Sequence, residues 1–294
     1  MAVRSLRASP YARTFNRKYC LYFLAFLAAD LVLICAAAHF WYSQCNGSFC
    51  TTMPQKPPRR MRNILAFGDS ITKGFIKFKP VETYHPYSRS LMKTLNRVHS
   101  KDVVFVVENH GLNGDRAIGT AQERLRAALS KKQYEWVIIL MGTNDLIRYF
   151  KHHDFKKLFE NDSVFLDKLF ENIKKFCEMA LRTNAMVILG TITAWQCEEQ
   201  TPSCDPLMAN REALNAKIRN FGMDTKELLI LADFDKELQY KTMSKEKRKQ
   251  YWQDDVHFTE TGYEAMAKLV YKKMLPYLPE MMQQPHESKN FTNV

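Results

Sequence analysis

Four short polar blocks interrupt otherwise apolar stretches of this chain: Gly68-Asp69-Ser70-Ile71-Thr72, Asn109-His110-Gly111-Leu112-Asn113-Gly114-Asp115, Gly142-Thr143-Asn144-Asp145 and Asp254-Asp255-Val256-His257. A serine hydroxyl becomes a useful nucleophile only when a neighbouring base takes its proton, and histidine suits that role near neutral pH. His257 could accept the proton of Ser70 and later pass it to a leaving alcohol. Asp254, three residues earlier, could orient the imidazole and stabilise its cation, with Asp255 as the rival carboxylate. A tetrahedral oxyanion needs preorganised donors, which the backbone N–H groups of Ser70 and Gly114 and the Asn144 amide could supply. Glycine at 114 permits close backbone approach or a positive φ. Asp69 reads as a carboxylate bonding turn amides, and Asp145 as one standing behind the site or capping a helix. Together these are the parts for acyl transfer. A metal site made from Asp254 and His257 with His110 or His85 lacks any tight ligand spacing, so neither metal nor organic cofactor is expected. His152-His153 sits in a polar stretch and reads as exposed. Trp195 could wall a substrate pocket or pack inside its own loop.

These residues must be held by regular elements, and the pattern around them supplies candidates. Short continuous apolar runs at 63–67, 103–108, 136–141, 186–190 and 228–231 suit parallel strands buried on both faces. Helical spacing occupies 87–98, 119–129, 163–182, 207–221 and 262–275. The mixed-charge stretch 236–250 reads as a solvated helix or loop. Alternating β and α elements imply a doubly wound α/β sheet, and such sheets bind ligands beyond the carboxyl ends of their strands. Three of the four polar blocks directly follow expected strands.

The blocks and their order resemble those of the SGNH hydrolase superfamily, the GDSL-type esterases and lipases, over about 63–277. The resemblance implies a flavodoxin-like three-layer α/β/α sandwich with a mostly parallel five-stranded sheet. It also implies Ser70 as nucleophile, Asp254 and His257 as its partners, and Ser70, Gly114 and Asn144 as the oxyanion hole. The expected activity is cofactor-free hydrolysis of carboxylic esters through an acyl-enzyme, with a lipid or an O-acetylated glycan as substrate. Two departures stand out. Ile71 replaces the leucine of the family name, an apolar exchange away from the chemistry. Arg116 stands where a small hydroxyl residue is more typical, and bears on substrate. A catalytically silent, membrane-tethered binding protein of the same fold is the alternative, though it has no chemical need for the intact set.

The 294 residues carry 43 Lys+Arg against 31 Asp+Glu, a net charge of +12 that invites a nucleic-acid reading. Its distribution argues otherwise: residues 1–61 hold eight basic groups and only Asp30 as an acid. Within them, 20–42 is an apolar run long enough, at about 34 Å, to span a bilayer core of about 30 Å. Asp30 near its middle costs about 2.5–3.5 kcal/mol, which the surrounding Leu, Ile, Val and Phe residues offset. Five basic residues precede the run and no charge falls in 43–55, so the N-terminus is expected in the cytosol. This gives a basic cytosolic tail (1–19), a transmembrane signal anchor (20–42), a linker (43–61), the hydrolase domain (62–282) and a C-terminal tail (283–294). The domain would then be lumenal or extracellular. Signal cleavage near Ala36-Ala37-Ala38, yielding a secreted protein, is the main rival, and mitochondrial targeting ranks third.

Cysteine and asparagine usage leans the same way. Cys45 with Cys50, and Cys197 with Cys204, could close short disulfide loops in an oxidising compartment. Glycosylation sequons stand at Asn46, Asn161 and Asn290.

Overall fold

The computed structural model describes residues 32–40, 42, 59–76, 81–99, 101, 103–200, 202–224 and 228–279. Contacts divide the chain into Met1–Pro58 and Arg59–Val294. In the first unit, residues 32–40 and 42 are helical, and among the described residues no helix is long and apolar enough to cross a membrane. The remainder of the expected span, the tail 1–19, Cys45, Cys50, Asn46, Asn290 and the tail 283–294 lie outside the described residues.

The second unit contains strands β1 (Arg60–Gly68), β2 (Phe75–Ile76), β3 (Thr83–Tyr84), β4 (Val103–Gly111), β5 (Trp136–Leu140), β6 (Met186–Gly190) and β7 (Leu229–Ala232). Five of them form one sheet in the order β4-β1-β5-β6-β7 with every pairing parallel, while β2 and β3 make a small antiparallel ribbon. The central strands read as unbroken apolar runs because both faces are covered: Ile64 to Phe67 and Trp136 to Ile139 are fully buried. Helices Tyr87–His99 and Glu260–Met274 pack together on one face, and Ala121–Lys131, Asp162–Leu181 and Asp205–Asp224 cover the other. The three layers match the α/β expectation.

Edges and ends explain where the elements outrun their apolar cores. β1 starts at Arg60 because buried Arg62 is paired with Glu135 at 3.6 Å, and the same carboxylate accepts the Asn63 N–H at 2.6 Å. On edge strand β4, the Asn96 side chain accepts from the Phe105 N–H at 2.9 Å and donates to its carbonyl at 2.8 Å. That side chain satisfies backbone groups an edge would otherwise expose. The stretch 236–250 holds a short helix, Lys245–Tyr251, and a 3₁₀ turn, Tyr240–Thr242. The ribbon β2–β3 and the helix Thr143–Lys151 have no counterpart in the sequence reading.

Candidate active site

The chain leaves β1 for β4 on one side and then for β5 on the other, so the loops after these three strands converge on one carboxyl edge. Such a switch point is where open parallel sheets hold ligands. β1 turns directly into the helix Ser70–Lys73, and Gly68 makes that possible. A Cβ there would lie 2.1 Å from Thr72 Oγ1 and 2.5 Å from the Leu140 carbonyl oxygen. Asp69 caps the helix by accepting the Ile71 N–H at 2.9 Å, which sets Ser70 as its first residue.

Ser70 Oγ lies 2.9 Å from His257 Nε2. His257 Nδ1 lies 2.9 and 3.1 Å from the two carboxylate oxygens of Asp254. Burial raises the Asp254 pKa, but bonds from the His257 imidazole and from the His257 and Val256 amides outweigh it and hold the carboxyl well below the usual range. The loop is pinned by the Gln253 N–H bonding the His257 carbonyl at 2.9 Å and by a bridge between Trp252 and Phe258. Phe75 of β2 packs edge-on against the imidazole, with ring centroids 4.8 Å apart. Asp255, the rival carboxylate, is exposed, and its carbonyl accepts the Gln196 N–H at 3.0 Å.

The opposite wall is built from the loops after β4 and β5. Gly114 adopts φ +74°, a left-handed conformation that favours glycine, and its Cα faces open space. Asn144 is the second residue of Thr143–Lys151, and its amide donates to the Asp115 carbonyl at 3.0 Å. Asp145 does not cap its own helix, which corrects one half of the sequence expectation. Its two oxygens accept the Ala117 and Ile118 N–H groups, each at 2.8 Å, and tie the helix to the loop carrying Gly114. Burial pushes the Asp145 pKa up to about 7, against the pull of those amides. Burial likewise pushes Asp69 up to about 6, against the pull of the Ile71 amide.

Two residues that sequence reasoning missed brace this wall. Arg124 donates to Asp115 Oδ2 at 3.0 Å, to the Gly68 carbonyl at 3.0 Å and to the His110 carbonyl, with its guanidinium 4.0 Å from the Phe67 ring centroid. Asn109 donates to the Thr72 carbonyl at 2.6 Å and to Ser88 Oγ at 2.9 Å. The Asn109 side chain also accepts the Gly111 N–H at 3.0 Å, an early sign of which was its place at the head of the second polar block.

Other candidates sort differently. Trp195 is 1% exposed, so it packs within its loop and walls nothing. Cys197 and Cys204 form a disulfide, and Cys177 is buried and free. Asn161 is exposed; its oxygen caps Asp162–Leu181 by accepting the Val164 N–H at 3.0 Å, which leaves its amide nitrogen outside that bond. His152 and His153 are exposed. His85 stands beside Glu260 and Glu264, at 3.9 and 3.7 Å, and His110 stands 3.7 Å from Glu108. Among the described residues no three His, Cys, Asp or Glu side chains gather as metal ligands would.

Comparison with known proteins follows the same lines. Residues 66–265 match the GDSL-like Lipase/Acylhydrolase family. Among solved structures, the acetylxylan esterase Axe2 from Geobacillus stearothermophilus shares 20% identity, covers 74% of this chain and 95% of its own, and superposes with a TM-score of 0.56. A lipase/acylhydrolase from Enterococcus faecalis shares 21% identity over 73% of this chain and 95% of its own, with a TM-score of 0.54. No curated protein matches the chain.

Proposed function

The chain belongs to the GDSL-like lipase/acylhydrolase family and is a carboxylic ester hydrolase; on that premise we propose that it works through Ser70, His257 and Asp254. The observation that carries the proposal is the unbroken relay from Ser70 Oγ to His257 Nε2 at 2.9 Å and from His257 Nδ1 to Asp254 at 2.9 Å. With the imidazole proton on Nδ1, Nε2 takes the Ser70 proton as Oγ attacks the ester carbonyl. The carbonyl π pair moves onto oxygen, and the N–H groups of Ser70 and Gly114 and the Asn144 amide receive that oxyanion. Collapse breaks the bond to the alcohol, which leaves with the proton from His257. Water then attacks the acyl-serine along the same path, releasing the acid and restoring Ser70. Asp254, held ionised, stabilises the imidazolium at each stage.

A fluorophosphonate probe tests the assignment. It is expected to label the wild type and to leave Ser70→Ala unlabelled, with turnover of 4-nitrophenyl acetate lost in parallel. Equal labelling of both proteins would move the nucleophile elsewhere.

The substrate is proposed to be a lipid ester or an O-acetylated glycan. The glycan side draws on the printed activity of Axe2 as an acetylxylan esterase. The lipid side draws on the apolar run 20–42, which would hold the domain beside a bilayer. The N-terminus is proposed to be cytosolic and the domain lumenal or extracellular. The Cys197–Cys204 disulfide and the exposed sequon Asn161 support that placement.

A further inference from the structure

Two arginines beside this site are not used by the mechanism. Arg116 follows the Gly114 turn by two residues, and Arg148 lies four residues beyond Asn144 on the same side of Thr143–Lys151. Both guanidiniums stand over the ring of Phe155, 5.5 and 5.3 Å from its centroid. Phe155 is buried, so one fixed ring positions both cations without neutralising their charge. Arg116 is half-buried and Arg148 exposed.

Their surroundings distinguish them from the structural arginines of the fold. Arg124, Arg211 and Arg219 are each engaged by carboxylates at 2.5–2.7 Å. Neither Arg116 nor Arg148 has a carboxylate within ion-pair distance among the described residues. Asp145, whose carboxyl feels the Arg116 charge, is buried and already holds two amides. The positive rim continues through exposed Lys151. Three acids nearby in sequence stand against other cations: Asp115 pairs with Arg124, Asp154 lies 3.9 Å from Lys157, and Asp162 lies 3.8 Å from Lys156.

We propose that Arg116 and Arg148 form an anion-recognition subsite on the oxyanion side of the Ser70 centre. The substrate is then an ester that carries a carboxylate or phosphate a few bonds from the cleaved carbonyl. A guanidinium fork matches either anion bidentately, and here an incoming anion displaces water without breaking an ion pair. This rests on the esterase reading and narrows its substrate class.

Matched chromogenic esters test it on the full-length protein. The probes are 4-nitrophenyl hemisuccinate against 4-nitrophenyl butyrate, 4-acetoxybenzoate against its methyl ester, and 4-acetoxyphenyl phosphate against phenyl acetate. Together they separate an anion on the acyl side from one on the alcohol side, and carboxylate from phosphate. The expected result is a higher kcat/KM for the anionic member of at least one pair. That preference should shrink with added salt and fall about tenfold in Arg116→Gln and in Arg148→Gln. Cleavage of neutral esters with a preference unchanged in the double variant would overturn the subsite and leave the esterase reading intact. If no ester is turned over, the esterase reading fails on its own, and binding of 4-hydroxybenzoate and phenyl phosphate judges the subsite. Saturable, salt-sensitive binding lost in the double variant supports it; absence of binding overturns it.

Discussion

Asp69 shows how one residue can be kept despite a cost to stability. Its Oδ1 caps the nucleophile's helix, but burial raises its pKa from 3.8 to about 6. In the unfolded chain the carboxyl titrates near 3.8, so between that value and about 6 the folded state binds more protons than the unfolded one. Stability from this group therefore falls as pH rises through that window, and the penalty is complete above it. Asp69→Asn keeps the capping oxygen and removes the buried charge. The variant should melt higher than the wild type at pH 8, with the advantage vanishing by about pH 4. Thermal melts of both proteins across that range measure it; a difference independent of pH would show that folding leaves the Asp69 pKa unshifted. The carboxylate lies close enough to His257 for their charges to interact, a physical reason for the site to retain it.

At the level of elements, what could be read from the sequence was whatever one segment decides alone. The buried strands declare themselves as apolar runs, and the polar blocks declare themselves by interrupting those runs where β1, β4 and β5 end. Thr143–Lys151 was hidden because its nine residues include Arg148 and Lys151, and because Gly142-Thr143-Asn144-Asp145 also reads as a turn. The partners of Arg124, Gly68 on one side and His110 with Asp115 on the other, come from two segments remote from its own, so nothing within Ala121–Lys131 sets it apart from its exposed neighbour Arg126. Its fork bridges the ends of β1 and β4 and the Asp115 side chain beside Gly114. Arg124→Met would leave Asp115 buried and uncompensated, costing about 3 kcal/mol, the low end for a buried pair because Arg124 is partly exposed. Arg124→Lys supplies a point charge without the fork and should recover only part of the loss. If the bridge positions the oxyanion wall, fluorophosphonate labelling of Ser70 and kcat should drop in both variants at temperatures where each is folded, with KM moving less. A lower melting point with unchanged kcat would reduce Arg124 to a stabilising brace.

For the molecule as a whole, the net charge of +12 is misleading until it is divided. Residues 1–61 carry a net +7, leaving +5 spread over the remaining 233 residues, too thin a balance to imply a nucleic-acid surface. Five basic groups ahead of residue 20 instead favour retention of the N-terminus in the cytosol. The disulfide supports the same proposal from within the hydrolase domain, because a Cys197–Cys204 bridge persists where thiols are not kept reduced. In intact microsomes the chain should resist alkaline extraction, and added protease should spare the hydrolase domain until detergent is present. Endoglycosidase should increase gel mobility, and Asn161→Gln should reduce that shift if this sequon is used. Protease removal of the domain from sealed vesicles, with no glycan and free thiols at 197 and 204, would invert the topology. The charge asymmetry would then need another cause, since leader charge and disulfide chemistry are independent and the proposed lumenal or extracellular domain accommodates both.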